Sequence, residues 1–107
     1  MEIVTLTADN FDEEAVHTTD LVLIDFWASW CGPCRMLSPV IEEIAQQAPA
    51  GVKVCKVNVD DEHELAAKFG VMSIPMLVVL KNGAVAASTV GVQPKAAILE
   101  LLERAKG

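Results

Sequence analysis

Two cysteines separated by two residues form the part of this sequence with the clearest chemistry. Cys31 and Cys34 lie in the segment Trp-Cys-Gly-Pro-Cys, and a pair at this spacing, at the start of a helix, can close into a disulfide. The same position shifts the first sulfur toward the thiolate, which is the form that attacks another disulfide. The pair therefore predicts dithiol-disulfide exchange with a second protein.

Each residue of this motif has an expected task. Cys31 should face unpaired backbone N–H groups and the positive end of the helix dipole, so we expect it to be the attacking nucleophile. Cys34 lies nearly one turn further along, should be more covered by protein, and is expected to resolve the mixed disulfide. Gly32 allows a tight turn without a side-chain clash, and Pro33 fixes φ in the first helical turn, so both should tune the redox pair.

A zinc site is the alternative interpretation, because two cysteines at this spacing are also common structural zinc ligands. Two more ligands would be needed, and the sequence offers only Cys55, His17 and His63. There is no second cysteine pair, so the pattern favours redox chemistry and no metal is expected. The two histidines lie beside acidic residues or at predicted helix ends, and we expect them to be solvated and without a role.

A lone carboxylate, Asp25, interrupts the apolar run of residues 21–27. Burial should raise the pKa of this carboxyl group. If it lies beneath Cys34, it can accept the proton of that thiol, through a water, when the mixed disulfide is resolved. The alternative is a structural ion pair with Lys56, which would tune Asp25 in either case.

The hydrophobic pattern indicates a single α/β domain over residues 1–107. The expected strands are residues 3–6, 21–27, 52–59, 76–80 and 84–90. Four helices are expected. The first is capped by Thr7 or Asp9 and reaches Val16, the second runs from the cysteine pair to Pro49, the third covers residues 63–69, and the fourth follows Pro94. This order, βαβαβαββα, predicts a central mixed five-stranded β-sheet flanked by four α-helices. Pro39 should bend the second helix near Arg35, and Asn82-Gly83 should form a tight hairpin turn.

Composition narrows the classes of partner and compartment. Of the 107 residues, 52% are hydrophobic and 21% charged, a globular composition without repeats, and the net charge of −7 argues against nucleic acid or an anionic membrane surface as a partner. The first residues contain no basic and apolar leader, so a cytoplasmic location is expected. Three cysteines are an odd number for a secreted disulfide scaffold, which also favours redox chemistry.

The order of the elements and six motifs in register resemble the thioredoxin family over essentially the whole chain. These motifs are Asp25-Phe26-Trp27-Ala28, Trp30-Cys31-Gly32-Pro33-Cys34, Lys56-Val57-Asn58-Val59-Asp60, Ile74-Pro75, Lys81-Asn82-Gly83 and Val90-Gly91. The resemblance implies a thioredoxin fold and a general protein disulfide reductase that a thioredoxin reductase re-reduces, with electrons from NADPH through that flavoprotein. It implies no bound cofactor besides the redox-active disulfide. The implied partners are the reductase and disulfide-containing target proteins, and a monomer is expected.

The resemblance also assigns a docking surface beside the cysteines. The pattern alone puts Pro75 at the first position of its strand, and the family implies a cis peptide there, which would leave the backbone of Ile74 free to pair with an extended target segment. The family's apolar rim is matched here by Trp30, Val59, Ile74, Val90 and Gly91. Ordinary core packing stays open for Val59 and Val90, and Trp27 is expected in the core.

Two positions depart from the family pattern. Met76 stands where threonine is common, which should alter target preference and leave the chemistry intact. Cys55 is a cysteine beyond the pair of the motif. We expect it to act as a small buried hydrophobic residue, and the alternative is a regulatory thiol. Two other functions stay open: an oxidase or isomerase, which would require an oxidising compartment, and a non-catalytic binding subunit that uses the apolar rim.

Overall fold

The computed structural model describes residues 2–47 and 49–107, which form a five-stranded sheet with helices on both faces. The strands are β1 (Val4–Thr5), β2 (Leu21–Trp27), β3 (Val52–Asn58), β4 (Met76–Lys81) and β5 (Ala84–Val90). The helices are a first helix (Asp12–Val16), α1 (Gly32–Gln47), α2 (His63–Lys68) and α3 (Lys95–Lys106). The predicted order of elements and the mixed sheet are confirmed.

The central position in the sheet belongs to β2. The strands lie in the order β1-β3-β2-β4-β5; β1, β3 and β2 are parallel, and β4 is antiparallel to both of its neighbours. A strand covered on both faces has few positions that meet water, which explains the nearly continuous apolar run of β2. Because β2 and β3 are parallel, their carboxyl ends meet at one edge of the sheet, and the chain passes from there to the cysteine pair.

Alternation along β2 divides the core into two clusters, one on each face of the sheet. Leu21 and Leu23 pack with α1 and α3, while Val22, Ile24 and Phe26 pack on the opposite face with the first helix and α2. Successive side chains of a strand point to opposite faces, so the side chain at position 25 falls on the face of Leu21 and Leu23. The sheet therefore directs Asp25 toward α1, the helix that contains Cys34.

The first helix differs from the expected α-helix. It is π-helical, with the N–H of His17 donating to the C=O of Asp12 at 2.8 Å, five residues earlier. It also begins after Phe11, because Thr7 and Asn10 close a separate turn before it: the Thr7 N–H donates to Asn10 Oδ1 at 2.8 Å, and the Asn10 N–H donates to Thr7 Oγ1 at 3.3 Å. The prediction of four α-helices is therefore wrong for this first segment, as is direct capping by Thr7 or Asp9.

Helix α1 continues through Pro39 without interruption. Proline has no N–H to offer the C=O of Arg35 four residues earlier, yet the helix extends over Gly32–Gln47. Leu37 and Ile41 are fully or nearly buried on its inner face, and this packing against the sheet holds the helix together across the missing hydrogen bond. The bend expected near Arg35 stays a prediction.

The turn between β4 and β5 is the two-residue hairpin that Asn82-Gly83 predicts. Both residues have positive φ, 53° for Asn82 and 81° for Gly83, as the twist-matched hairpin turns require. The turn also packs closely against the first helix, because a Cβ on Gly83 would lie 3.1 Å from Cγ1 of Val16. Glycine is thus required at position 83 by both conformation and space.

The pairing of β4 with β5 contains one irregularity. The register shifts between Val79 and Leu80, which pair with Ala87 and Val85 respectively. Ala86 is therefore an extra residue on β5, a β-bulge in a strand that forms one edge of the sheet.

Candidate active site

The cysteine pair lies where the chain leaves β2 and enters α1. Cys31 immediately precedes the helix, which begins at Gly32; its N–H donates to the C=O of Ala28 at 3.2 Å, and its C=O accepts from the N–H of Arg35 at 3.3 Å. Cys31 and Cys34 are joined in a disulfide, with their Cα atoms 5.3 Å apart. The strand and helix therefore bring the two sulfurs into bonding contact, as their spacing predicts.

The backbone at the start of α1 favours a negative charge on Cys31. The N–H of Cys34 donates to Cys31 Sγ at 3.2 Å, and this is one of the N–H groups of the first turn that have no partner within the helix. A thiolate at this position would lie at the positive end of the helix dipole and accept this hydrogen bond, and both interactions stabilise a negative charge on the sulfur. The geometry accordingly suits Cys31 for nucleophilic attack.

Two expectations for this loop, the greater burial of Cys34 and the steric need for Gly32, are wrong. Cys31 and Cys34 are each only 4% exposed, so Cys34 is not the more covered residue, and exposure does not distinguish their roles. Gly32 was expected to avoid a side-chain clash, but a Cβ at this position would meet nothing within 4 Å among the described residues. Steric need therefore does not explain the glycine, while Pro33 does occupy the first turn of α1 as expected.

Asp25 is buried on the helix-facing side of β2. It is 5% exposed and is the buried charged residue among those the structure describes. Burial raises the pKa of Asp25 from 3.8 to about 6, and the positive charge of Lys56 opposes this increase. Its Oδ1 has no hydrogen-bond partner within residues 2–47 and 49–107. A carboxyl group with such a pKa can exchange protons near neutral pH.

Lys56 is next to Asp25 across the sheet but does not form an ion pair with it. The two residues are paired in the register of β2 and β3, yet the salt bridges among the described side chains do not include this pair. The Lys56 ammonium instead lies 5.2 Å from the ring centroid of Trp27, a cation–π contact. The alternative of a structural Asp25–Lys56 ion pair is therefore wrong. The charge of Lys56 nevertheless lowers the pKa of Asp25, which agrees with a tuning role.

A small cavity is lined by both the buried Asp25 and Cys34. It has a volume of about 100 Å³ and is lined by Asp25, Trp27, Cys34, Arg35, Ser38 and Lys56. A polar cavity of this size can hold water. Trp27, expected in the core, is only half-buried and packs against the cysteines.

A rim of apolar side chains packs against the cysteines. Val59 and Ile74 are half-buried and pack against Cys31 and Cys34, and Cys31 Sγ lies 3.8 Å from the C=O of Ile74. Trp30 is largely exposed, and its indole N–H donates to Asp60 Oδ2 at 2.9 Å. Val59 is thus neither fully buried nor exposed, and its place in a docking rim stays a prediction.

Pro75 and the end of β5 complete this rim. The Ile74-Pro75 peptide is cis, and Pro75 immediately precedes β4, close to the strand-start position expected for it. The C=O of Pro75 accepts from the N–H of Gly91 at 2.8 Å, which brings the end of β5 beside the proline. Val90 is exposed, so the core alternative is wrong for this residue.

The sequence interpretation missed part of a groove that includes three residues of the rim. A groove of about 160 Å³, here called the docking groove, is lined by Trp30, Val59, Ala66, Val71, Met72 and Ile74. Three of these, Ala66, Val71 and Met72, come from α2 and the segment after it, and no motif in the sequence identifies them. Met72 is 95% exposed, but this exposure is a property of the fold, so the sequence carried no signal for these three residues.

Neither of the two positions that depart from the family pattern packs against the cysteine pair. Met76 is half-buried and packs in the core cluster that contains Phe26, not against the cysteines. Cys55 is fully buried in the same cluster, and burial raises the pKa of its thiol to about 12. The expectation of a small buried hydrophobic residue at position 55 is confirmed.

Other classes of site find no support in the part of the chain that the structure describes. That part contains no group of three or more His, Cys, Asp or Glu side chains placed to hold a metal ion. His17 and His63 are exposed, which confirms that they are solvated. No helix in residues 2–47 or 49–107 is long and apolar enough to cross a membrane.

Comparisons with known proteins agree with this arrangement. A family model described as Thioredoxin matches residues 2–104. A thioredoxin of Bacillus subtilis is 47% identical over 97% of this chain and 98% of its own length. Thioredoxin 1 of a Nostoc species is 43% identical over 92% of each chain, and a thioredoxin of Haemophilus influenzae is 41% identical over 96% of each.

Proposed function

Since the chain belongs to the thioredoxin family and is a thiol-disulfide oxidoreductase, we propose that it acts as a general reductase of protein disulfides. The exchanging pair is Cys31 and Cys34. The observation that carries this proposal is the position of Cys31 at the start of α1, where the N–H of Cys34 donates to its sulfur at 3.2 Å.

The reaction begins from the reduced pair. The Cys31 thiolate attacks one sulfur of a target disulfide, which forms a mixed disulfide and releases the first target thiolate. Cys34, as a thiolate, then attacks Cys31 Sγ; the Cys31–Cys34 disulfide forms and the second target thiolate leaves. Two electrons have moved from the pair to the target. Gly32 and Pro33 keep the two sulfurs within one helical turn during both steps.

Asp25 is the proton acceptor for the second step. Both Asp25 and Cys34 line the cavity of about 100 Å³, so water in that cavity can transfer the thiol proton to the carboxylate. A pKa of about 6 makes the carboxylate the major form at neutral pH while keeping it basic enough to accept a proton. Lys56 assists by favouring the ionised form of Asp25.

Targets dock on the apolar rim. Trp30, Val59, Ile74, Val90 and Gly91 supply apolar and backbone surface around Cys31, and Pro75 fixes the backbone of Ile74 beside it. An extended target segment can form hydrogen bonds with that backbone without a specific side-chain sequence. This mode of recognition suits a reductase with many targets.

Electrons return through a separate protein. The sequence contains no dinucleotide-binding glycine motif, so we propose that a thioredoxin reductase, a flavoprotein that uses NADPH, re-reduces the Cys31–Cys34 disulfide. No bound cofactor is part of the proposal. A cytoplasmic location fits a pair that must be kept reduced.

A redox titration and three serine variants test the proposal. Equilibration with thiol-disulfide buffers, followed by tryptophan fluorescence and by mass, should give a two-electron couple near −270 mV, roughly the value of thioredoxins. Values of about −180 to −120 mV would indicate isomerase or oxidase activity instead. Cys34→Ser should trap a mixed disulfide with a target, and Cys31→Ser should not. A double serine variant that keeps full function would identify a binding subunit.

A further inference from the structure

The sulfur atoms of this protein differ greatly in their access to solvent. In the disulfide form, Cys31 and Cys34 are bonded to each other, and Cys55 is a fully buried thiol whose pKa is raised by burial to about 12. Met76 is half-buried against the core. Met36 and Met72 are 68% and 95% exposed. Oxidants in solution therefore meet these two thioethers before any cysteine of the disulfide form.

The two exposed methionines among the described residues lie on different surfaces. Met72 lines the docking groove with Trp30 and Ile74, and Ile74 packs against the cysteine pair. Met36 is on the outer face of α1 and does not line this groove. A chemical change at Met72 thus alters a surface next to the reactive sulfurs, whereas the same change at Met36 alters a surface outside the groove.

We propose that Met72 is a site of reversible oxidation, at which a hydroperoxide weakens the docking of target proteins and leaves the Cys31–Cys34 couple unchanged. The thioether sulfur takes one oxygen from the hydroperoxide and becomes a sulfoxide. The O–O bond breaks, the sulfur is oxidised by two electrons, and with hydrogen peroxide the second oxygen leaves as water. The inference rests on the proposed function, because it assumes that targets cover the docking groove.

Oxidation changes what the groove can bind. A thioether is flexible and apolar and gains free energy when a target buries it. A sulfoxide is polar, and burying its oxygen without a hydrogen-bond donor is unfavourable. The effect should therefore appear in KM for a protein target and not in kcat, since the sulfurs that react are not altered.

The test compares wild type with two matched variants, Met72→Leu and Met36→Leu. Each protein is treated in the disulfide form with hydrogen peroxide, sulfoxides are located by peptide mass spectrometry, and reduction of insulin disulfides is measured with dithiothreitol as electron source. In wild type and in Met36→Leu we expect a sulfoxide at Met72 and an increase of about fivefold in KM. This increase corresponds to losing part of the free energy gained when a target buries one methionine side chain. Met72→Leu should keep its own KM after treatment.

Two further arms separate a specific effect from damage. A methionine sulfoxide reductase should restore the KM of treated wild type, and Met72→Gln should show the raised KM without peroxide. An unchanged KM in protein with sulfoxide at position 72, or an equal increase in Met72→Leu, would overturn the inference. An untreated wild type that fails to reduce insulin would instead refute the proposed reductase function, so the two failures are distinguishable.

Discussion

Replacing Asp25 with asparagine should stabilise the folded protein at neutral and alkaline pH. The folded protein retains the proton of Asp25 up to about pH 6, whereas an aspartate with the ordinary pKa of 3.8 loses it earlier. Between these values the folded state binds more protons than the unfolded chain, so stability falls as pH rises. The difference between the two pKa values corresponds to about 3 kcal/mol of unfolding free energy.

Asparagine has no proton to lose, so the variant should escape this destabilisation. In the disulfide form, Asp25→Asn should be more stable than wild type by about 3 kcal/mol at pH 8, and the gain should disappear as pH falls through the range from about 6 to about 4. Guanidinium unfolding at pH 4, 5, 6, 7 and 8 measures both proteins. Asp61→Asn, at an exposed position, is the matched control and should differ little from wild type at any pH.

Lys56 provides a second arm for the same reasoning. Its positive charge lowers the pKa of Asp25, so Lys56→Met should raise that pKa above about 6 and extend the upper end of the pH range over which stability falls, while the lower end stays at the pKa of the unfolded chain. A stability difference between Asp25→Asn and wild type that stays constant from pH 4 to pH 8 would refute the assignment of a raised pKa. So would an asparagine variant that is less stable than wild type at pH 8.

Two other predictions concern the turns and the third cysteine. Gly51 has a φ of 74° and open space among the described residues, so Gly51→Ala should lower the free energy of unfolding by about 1 kcal/mol. Gly83→Ala should lower it by roughly 1 kcal/mol more, because its Cβ would lie 3.1 Å from Val16. Guanidinium unfolding measures both variants, and equal losses of stability would contradict the contact with Val16. Cys55 should resist iodoacetamide at pH 8 in the folded disulfide form and react after unfolding, as followed by mass; rapid labelling of the folded protein would contradict its burial.

Much of the fold could be predicted because local pattern and tertiary environment agree in the elements that matter most. The apolar run of β2 predicts a strand covered on both faces, and the sheet places it at the centre. Asn82-Gly83 predicts a hairpin turn whose positive φ values the structure contains. Asp25 is conspicuous because it is a carboxylate in an apolar strand, and its raised pKa follows from that position.

Of the features that sequence did not predict, one depends on local hydrogen bonding and the others on contacts between distant segments. The π-helical form of the first helix depends on a hydrogen bond that spans five residues, from His17 to Asp12, and on the turn before it. The position of Lys56 over Trp27 is a matter of side-chain packing between two strands. Ala66 and Met72 join the docking groove only because α2 and the following segment fold back toward Trp30.

The bulge at Ala86 affects the ability of β5 to pair with the edge strand of another molecule. A long edge strand offers free backbone groups to any other strand, and natural proteins commonly protect such edges with charges, prolines or bulges. Residues 84–92 contain no charged side chain and no proline, so β5 lacks the first two protections. The extra residue interrupts the regular spacing of amide and carbonyl groups along β5. The bulge therefore acts against intermolecular strand pairing, and removing Ala86 should increase the tendency of the protein to aggregate.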